Sequence, residues 1–174
     1  MKYIKPTSLL LGLIPVVLAS CQDMNSAMTP KSKVLTDDFD GSQIVRQEPV
    51  SSSASITEDW HILGFEYRSS TPDRVFVTAG VHGINNAFGL PFNIGGRTIQ
   101  AEEASLTTEY GSLSTRRFHV SYKDFITIAT APMVKMKVSG ANSYGVSSFG
   151  TSTKALVNMK FPPFLERIQT VKSS

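Results

Sequence analysis

The run Phe88-Gly89-Leu90-Pro91-Phe92-Asn93-Ile94-Gly95-Gly96-Arg97-Thr98-Ile99-Gln100-Ala101 decides the fold class. Phe88, Leu90, Phe92 and Ile94 recur at every second position, and Ile99 and Ala101 do so beyond the two glycines. Alternation with period two marks a half-buried strand. Gly95-Gly96 supplies the positive-φ positions of a tight hairpin. Counting back across that turn sets Phe92 opposite Ile99 and Leu90 opposite Ala101, so the apolar side chains meet on one face and the register is self-consistent.

Outward from this hairpin the chain keeps the same character. Trp60 to Tyr67 is apolar on both faces, as a central strand would be, and Val75, Val77, Ala79 and Val81 alternate with Arg74, Phe76, Thr78 and Gly80. Leu106 to Tyr110 and Thr115 to Val120 are expected to pair across Gly111 to Ser114. Ser121 then predicts a helix N-cap, with Asp124 in a capping-box position. Tyr122, Phe125, Ile126 and Ala129 form the buried stripe, and Pro132 ends the helix. Val134, Met136 and Val138 begin a second hairpin that returns through Ser143 to Phe149. Ala155, Val157, Met159 and Phe161 keep period two up to Pro162-Pro163, after which Phe164, Leu165, Ile168 and Val171 fit a short helix. The fold class expected is α+β: a mainly antiparallel β-sheet, sandwich-like or a partly open barrel, with one helix near 121–131 and a short C-terminal helix.

Composition bounds the function classes. The 174 residues are 41% hydrophobic and 18% charged, which argues against a wholly disordered chain, a coiled coil and a multi-span membrane protein. One cysteine, Cys21, allows no internal disulfide or cysteine-based zinc site, and the three histidines are scattered. No metal and no cofactor are expected. Charge is unevenly distributed: residues 22–59 carry a net −4 and residues 60–174 a net +5. The acidic stretch has few aromatics and includes Ser51-Ser52-Ser53-Ala54-Ser55. It reads as a flexible tether over 21–59, spanning roughly 30–35 Å as a coil, with Ser42 to Val50 as the one part able to dock as an edge strand. A single β-rich domain is expected over 60–174.

The N-terminus carries Lys2 and Lys5, then the apolar run Leu9 to Leu18 and the tetrad Leu18-Ala19-Ser20-Cys21. About ten apolar residues are too few to cross a bilayer that needs ~20 as a helix. The tetrad resembles the lipobox of bacterial lipoprotein precursors, and the resemblance covers residues 1–21. It implies that residues 1–20 are a cleaved signal peptide and that Cys21 is the lipidation site. It also implies residence in the cell envelope, on the outer membrane because Gln22 rather than Asp follows the cysteine. The partner so implied is the lipid bilayer, held through the acyl chains of Cys21.

No catalytic residues are assigned. Thr78 to Gly83 with Asn85 and Asn86 reads as a polar, glycine-rich loop; its alternative is a hydrolase site using His82. Glu102 and Glu103 are neighbours on a strand and point to opposite faces, which defeats a shared two-carboxylate site. Ser139-Gly140-Ala141-Asn142-Ser143-Tyr144 is similar to the S-G-x-x-Y segment of membrane-bound lysozyme inhibitors, with the tyrosine one residue later. That similarity implies a second alternative, an inhibitor of a secreted enzyme. Arg117 with His119, and Lys135 with Lys137, share strand faces; if their strands neighbour each other they form a basic binding surface for an envelope protein or an anionic cell-wall polymer. The competing purpose for strand lysines is to block edge-to-edge aggregation. No aromatic interleaving points to nucleic acid. The function expected is a membrane-anchored envelope lipoprotein with a non-catalytic β-rich domain.

Overall fold

The computed structural model describes residues 29–82, 86–140 and 143–173. Its strands are β1 (Lys33–Thr36), β2 (Gln43–Ser51), β3 (His61–Arg68), β4 (Arg74–His82), β5 (Ala87–Ile94), β6 (Arg97–Glu103), β7 (Glu109–Tyr110), β8 (Leu113–Ser121), β9 (Val134–Gly140) and β10 (Tyr144–Phe149). Helix α1 covers Tyr122–Thr130 and helix α2 covers Phe161–Lys172, with a 3-10 turn at Leu156–Met159 before it. The fold is α+β, and the sheet runs in the order β1-β2-β3-β4-β8-β6-β5-β9-β10, with β7 on the side of β8. Its neighbouring strands are antiparallel.

The founding hairpin forms as expected. Gly95 and Gly96 have φ of 58° and 93°, and Phe92 faces Ile99 while Leu90 faces Ala101. β6 then turns a corner: its earlier residues pair with β5, while Glu102 and Glu103 pair with His119 and Phe118 of β8. One strand thereby joins two halves, β1-β2-β3-β4-β8 and β5-β9-β10, whose apolar faces close on a shared core.

The helices fill that core. Ser121 caps α1 as expected, its hydroxyl accepting from the Asp124 N–H at 3.0 Å, but Asp124 departs from a capping box: its carboxylate accepts from the Ser121 hydroxyl at 2.7 Å rather than from the Ser121 backbone N–H. The buried stripe is Phe125, Ile128 and Ala129; Ile126 and Tyr122 sit half-buried at its margin, so the helix is rotated slightly from the expected face. Phe161 of α2 stacks on Phe65 at 4.9 Å between ring centres, and lies 5.9 Å from Phe125 and 5.8 Å from Phe149. It thus touches α1 and both halves of the sheet.

Three expectations are corrected. The first is the tether over 21–59 and the domain start at 60. β1 and β2 extend the sheet, β2 pairs along β3, and Ile44, Val45 and Val50 are buried. The acidic residues misled because they mark turns rather than coil. Asp37 and Asp40 accept from the N–H groups of Phe39 and Ser42 in a tight connection containing Gly41 at φ 72°. Residues 21–28 lie outside the described residues. The second concerns Ala155 to Phe161. Instead of a strand, Leu156–Met159 turns as a 3-10 helix, held by the Asn158 side chain, which donates to Thr153 and accepts from the Gly150 N–H. Pro162 and Pro163 lie inside the first turn of α2, where a helix needs no N–H. The third is the strand over 106–110, which contracts to Glu109–Tyr110, leaving Leu106 95% exposed.

A chain cut to begin at Glu58 is therefore expected not to fold, because it strips β2 from β3, whereas one beginning at Thr29 is expected to fold; circular dichroism and thermal melting distinguish them. Val45→Ala is expected to cost about 2 kcal/mol and Phe161→Ala about 3–5 kcal/mol in denaturant unfolding.

Candidate binding surfaces

One row of side chains crosses the outer face of five neighbouring strands. Arg46 of β2 is opposite Glu66 of β3, Glu66 is opposite Phe76 of β4, Phe76 is opposite His119 of β8, and His119 is opposite Glu102 of β6. Glu66 is the hub. Its carboxylate accepts from Arg46 at 2.8 Å and Arg68 at 2.7 Å, and from Arg117. Burial pushes the Glu66 carboxyl up, but the hydrogen bonds and charges of the three guanidinium groups outweigh it and hold it below its ordinary value. The Arg117 guanidinium also lies over the Phe76 ring, 4.5 Å from its centre. His119 packs against the same ring and sits 3.7 Å from the Glu102 carboxylate.

This arrangement divides the expected basic surface. β8 carries Arg117 and His119, β9 carries Lys135 and Lys137, and β6 and β5 lie between them, so the four do not form one patch. Arg117 and His119 are spent on Glu66, Glu102 and Phe76. Lys135 and Lys137 are exposed and have no ion pair among the described residues; the Lys137 ammonium lies over Tyr144 of β10 at 5.3 Å. Glu102 and Glu103 do take opposite roles, one facing His119 and the other bonding Arg116 at 2.6 Å.

A second cluster was not anticipated. β10 ends the sheet order, and its backbone N–H groups at Val146 and Ser148, with that of Gly150 just beyond it, are met by side chains: Asp59 at 2.7 Å, Glu58 at 3.1 Å and Asn158 at 2.8 Å. Two carboxylates and an amide thus cap the edge that another strand would pair with. His61 lies behind this clip, its Nδ1 3.1 Å from Ser147 Oγ. A Cβ at position 145 would come within 2.7 Å of His61 Nε2, so Gly145 permits the close approach. Serine, histidine and carboxylate converge here, but Ser147 and His61 are 0% and 2% exposed, closed to any substrate. The signals that could have exposed these roles are Glu66, a lone charge inside an apolar central strand, and Glu58-Asp59 placed directly before it.

His82 ends β4, exposed, with its ring 6.4 Å from Trp60; residues 83–85 of its loop lie outside the described residues. In the Ser139 to Tyr144 segment residues 141 and 142 also lie outside them, and Tyr144 is 68% exposed. Cys21 likewise lies outside them. Among the described residues no group of His, Cys, Asp and Glu is placed to hold a metal, and no helix is long and apolar enough to cross a membrane. Comparisons with protein-family models, curated proteins and solved structures find no match.

The clip sets an acid limit on stability. Burial holds the His61 pKa below its ordinary 6.5, partly offset by Asp59 and Glu58. Burial pushes the Glu58 carboxyl up, but the Ser148 and Ala54 hydrogen bonds hold it below 4.5. Both groups bind fewer protons folded than unfolded, so stability rises with pH. The His61 contribution is complete above pH 6.5 and is lost as pH falls from there to its folded value; that of Glu58 is complete above 4.5 and is lost as pH falls through its folded value. Denaturant midpoints are expected to fall in two stages, and His61→Gln is expected to remove the upper one. An unchanged slope between pH 7 and 5 in that variant would clear His61 of the role.

Proposed function

We propose that this chain is a bacterial envelope lipoprotein, cleaved after Ser20, acylated at Cys21 and held on the outer membrane. Its β-rich domain works by binding rather than by turnover. The anchoring is supported by the tetrad Leu18-Ala19-Ser20-Cys21 behind an apolar run of suitable length. The binding role is supported by one observation above the rest: Lys135 and Lys137 stand exposed, with no ion pair among the described residues, on β9, a strand flanked on both sides by β5 and β10. Lysines that guard a sheet belong on its edge, so an interior position favours contact with a partner. That partner is an anionic cell-wall polymer or an acidic face of an envelope protein.

Two measurements test this. Cells fed a palmitate analogue are expected to label the wild type and not Cys21→Ser; equal labelling would remove the anchor. Lys135→Glu with Lys137→Glu is expected to weaken cosedimentation with isolated cell walls, or capture of the crosslinked partner, about tenfold, equivalent to ~1.4 kcal/mol. The residual binding should depend less on salt. His82→Ala is expected to leave function intact. Loss of the cellular phenotype in His82→Ala at normal abundance, with the lysine reversals silent, would move the reading to a hydrolase.

A further inference from the structure

A separate basic cavity of about 240 Å³ lies between the segment entering β1 and the start of α2, lined by Lys31, Ser32, Gln47, Met159, Lys160 and Arg167, among others. None of its lining residues is acidic. Lys160 is only 6% exposed, and its ammonium donates to the Thr29 hydroxyl at 2.7 Å. No ion pair reaches Lys160, Lys31 or Arg167 among the described residues. Burial, with Lys31 adding to it, pushes the Lys160 ammonium below its ordinary value, the response of a buried cation with no counter-ion among the described residues.

The fold holds this arrangement in place. Gln47, itself 1% exposed, accepts from Ser32 at 2.8 Å and donates to the Pro30 carbonyl at 3.1 Å. That pins residues 30–32 against β2 and presents Lys31 to the cavity. Lys160 is the N-cap residue of α2, a helix of 12 residues with no acid in its first turn and no side-chain cap. The positive end of its dipole adds to the field of the three cations. Burying an ammonium without a counter-charge is costly. The cost is offset if an anion completes the site.

We propose that this cavity binds a phosphate ester, with Lys31 supplying charge from the segment entering β1 and Lys160 and Arg167 from one face of α2. The phosphate can come from a lipid headgroup or from a soluble ester. The lipid source rests on the anchoring proposed above: the eight residue steps from Cys21 to Thr29 reach at most about 29 Å, which would keep the cavity near the bilayer. The site itself does not depend on it.

The test uses the mature-length chain, residues 21–174 with Cys21→Ser, which includes every described residue. Inorganic phosphate titrated in at constant ionic strength is expected to raise the melting temperature and to show saturable binding by calorimetry. Lys31→Ala and Arg167→Ala, both at exposed positions, are expected to weaken that binding at least tenfold with the fold intact. Lys160→Met is expected to abolish it. The double reversal at Lys135 and Lys137 is expected to leave it unchanged. Saturable phosphate binding that Lys31→Ala and Arg167→Ala leave as in the wild type, or no saturable binding at all, would overturn the site.

Vesicles of phosphatidylcholine with and without phosphatidic acid separate the sources. Cosedimentation that requires phosphatidic acid and is lost in Arg167→Ala assigns the headgroup. Phosphate binding without cosedimentation assigns a soluble ester; both outcomes uphold the site. A chain that binds phosphate but takes up no palmitate in cells loses the anchor alone, and one that takes up palmitate but binds no phosphate loses the cavity alone.

Discussion

The structure depends on the meeting of aromatic rings around Phe161. Two halves of one sheet, joined covalently and by pairing through β6, would otherwise expose their inner faces. Phe161 contacts Phe65 from one half and Phe149 from the other, and Phe164 and Phe125 pack beside it. Edge and stacked ring pairs each add about 0.5–1.5 kcal/mol beyond the area they bury. The prolines that follow Phe161 start α2 at this point and so fix where the ring enters. Everything on the outer faces is placed by this inner closure.

Closure leaves a sheet with ends, and the end at β10 is managed by chemistry rather than by another strand. Asp59, Glu58 and Asn158 meet its alternate N–H groups. The carboxylates come from the connection between β2 and β3, so the same contacts tie the two halves together across the opening. An acidic segment that looked like solvated tether is thereby part of the fold's fastening, and His61 makes that fastening sensitive to acid.

Three groups of cations stand in different surroundings. Arg46, Arg68 and Arg117 converge on Glu66 and hold neighbouring strands in register. Lys135 and Lys137 stand exposed on β9 with no ion pair among the described residues, Lys137 over the Tyr144 ring. Lys31, Lys160 and Arg167 line a cavity with no acid in its lining. A net positive charge says only that cations are in excess. Their usefulness for binding depends on which are already neutralised, because a paired guanidinium must give up its carboxylate before it can attract another anion.

Local physics made much of this protein legible in its sequence. Alternation about Gly95-Gly96 determined a hairpin and its register, because side-chain period and turn geometry are short-range properties. Ser121 and Asp124 determined where α1 begins for the same reason, and together these patterns determined an antiparallel α+β fold. The tertiary structure alone decided what lies between β8 and β9, and so that Arg117 and His119 do not join Lys135 and Lys137. It alone decided that Glu58 reaches Ser148, 90 residues away, and that Lys160 meets Thr29 across 131. Periodicity carries no information about such distances. They follow from the order of the strands and the closure of the core, which are settled only when the whole chain packs.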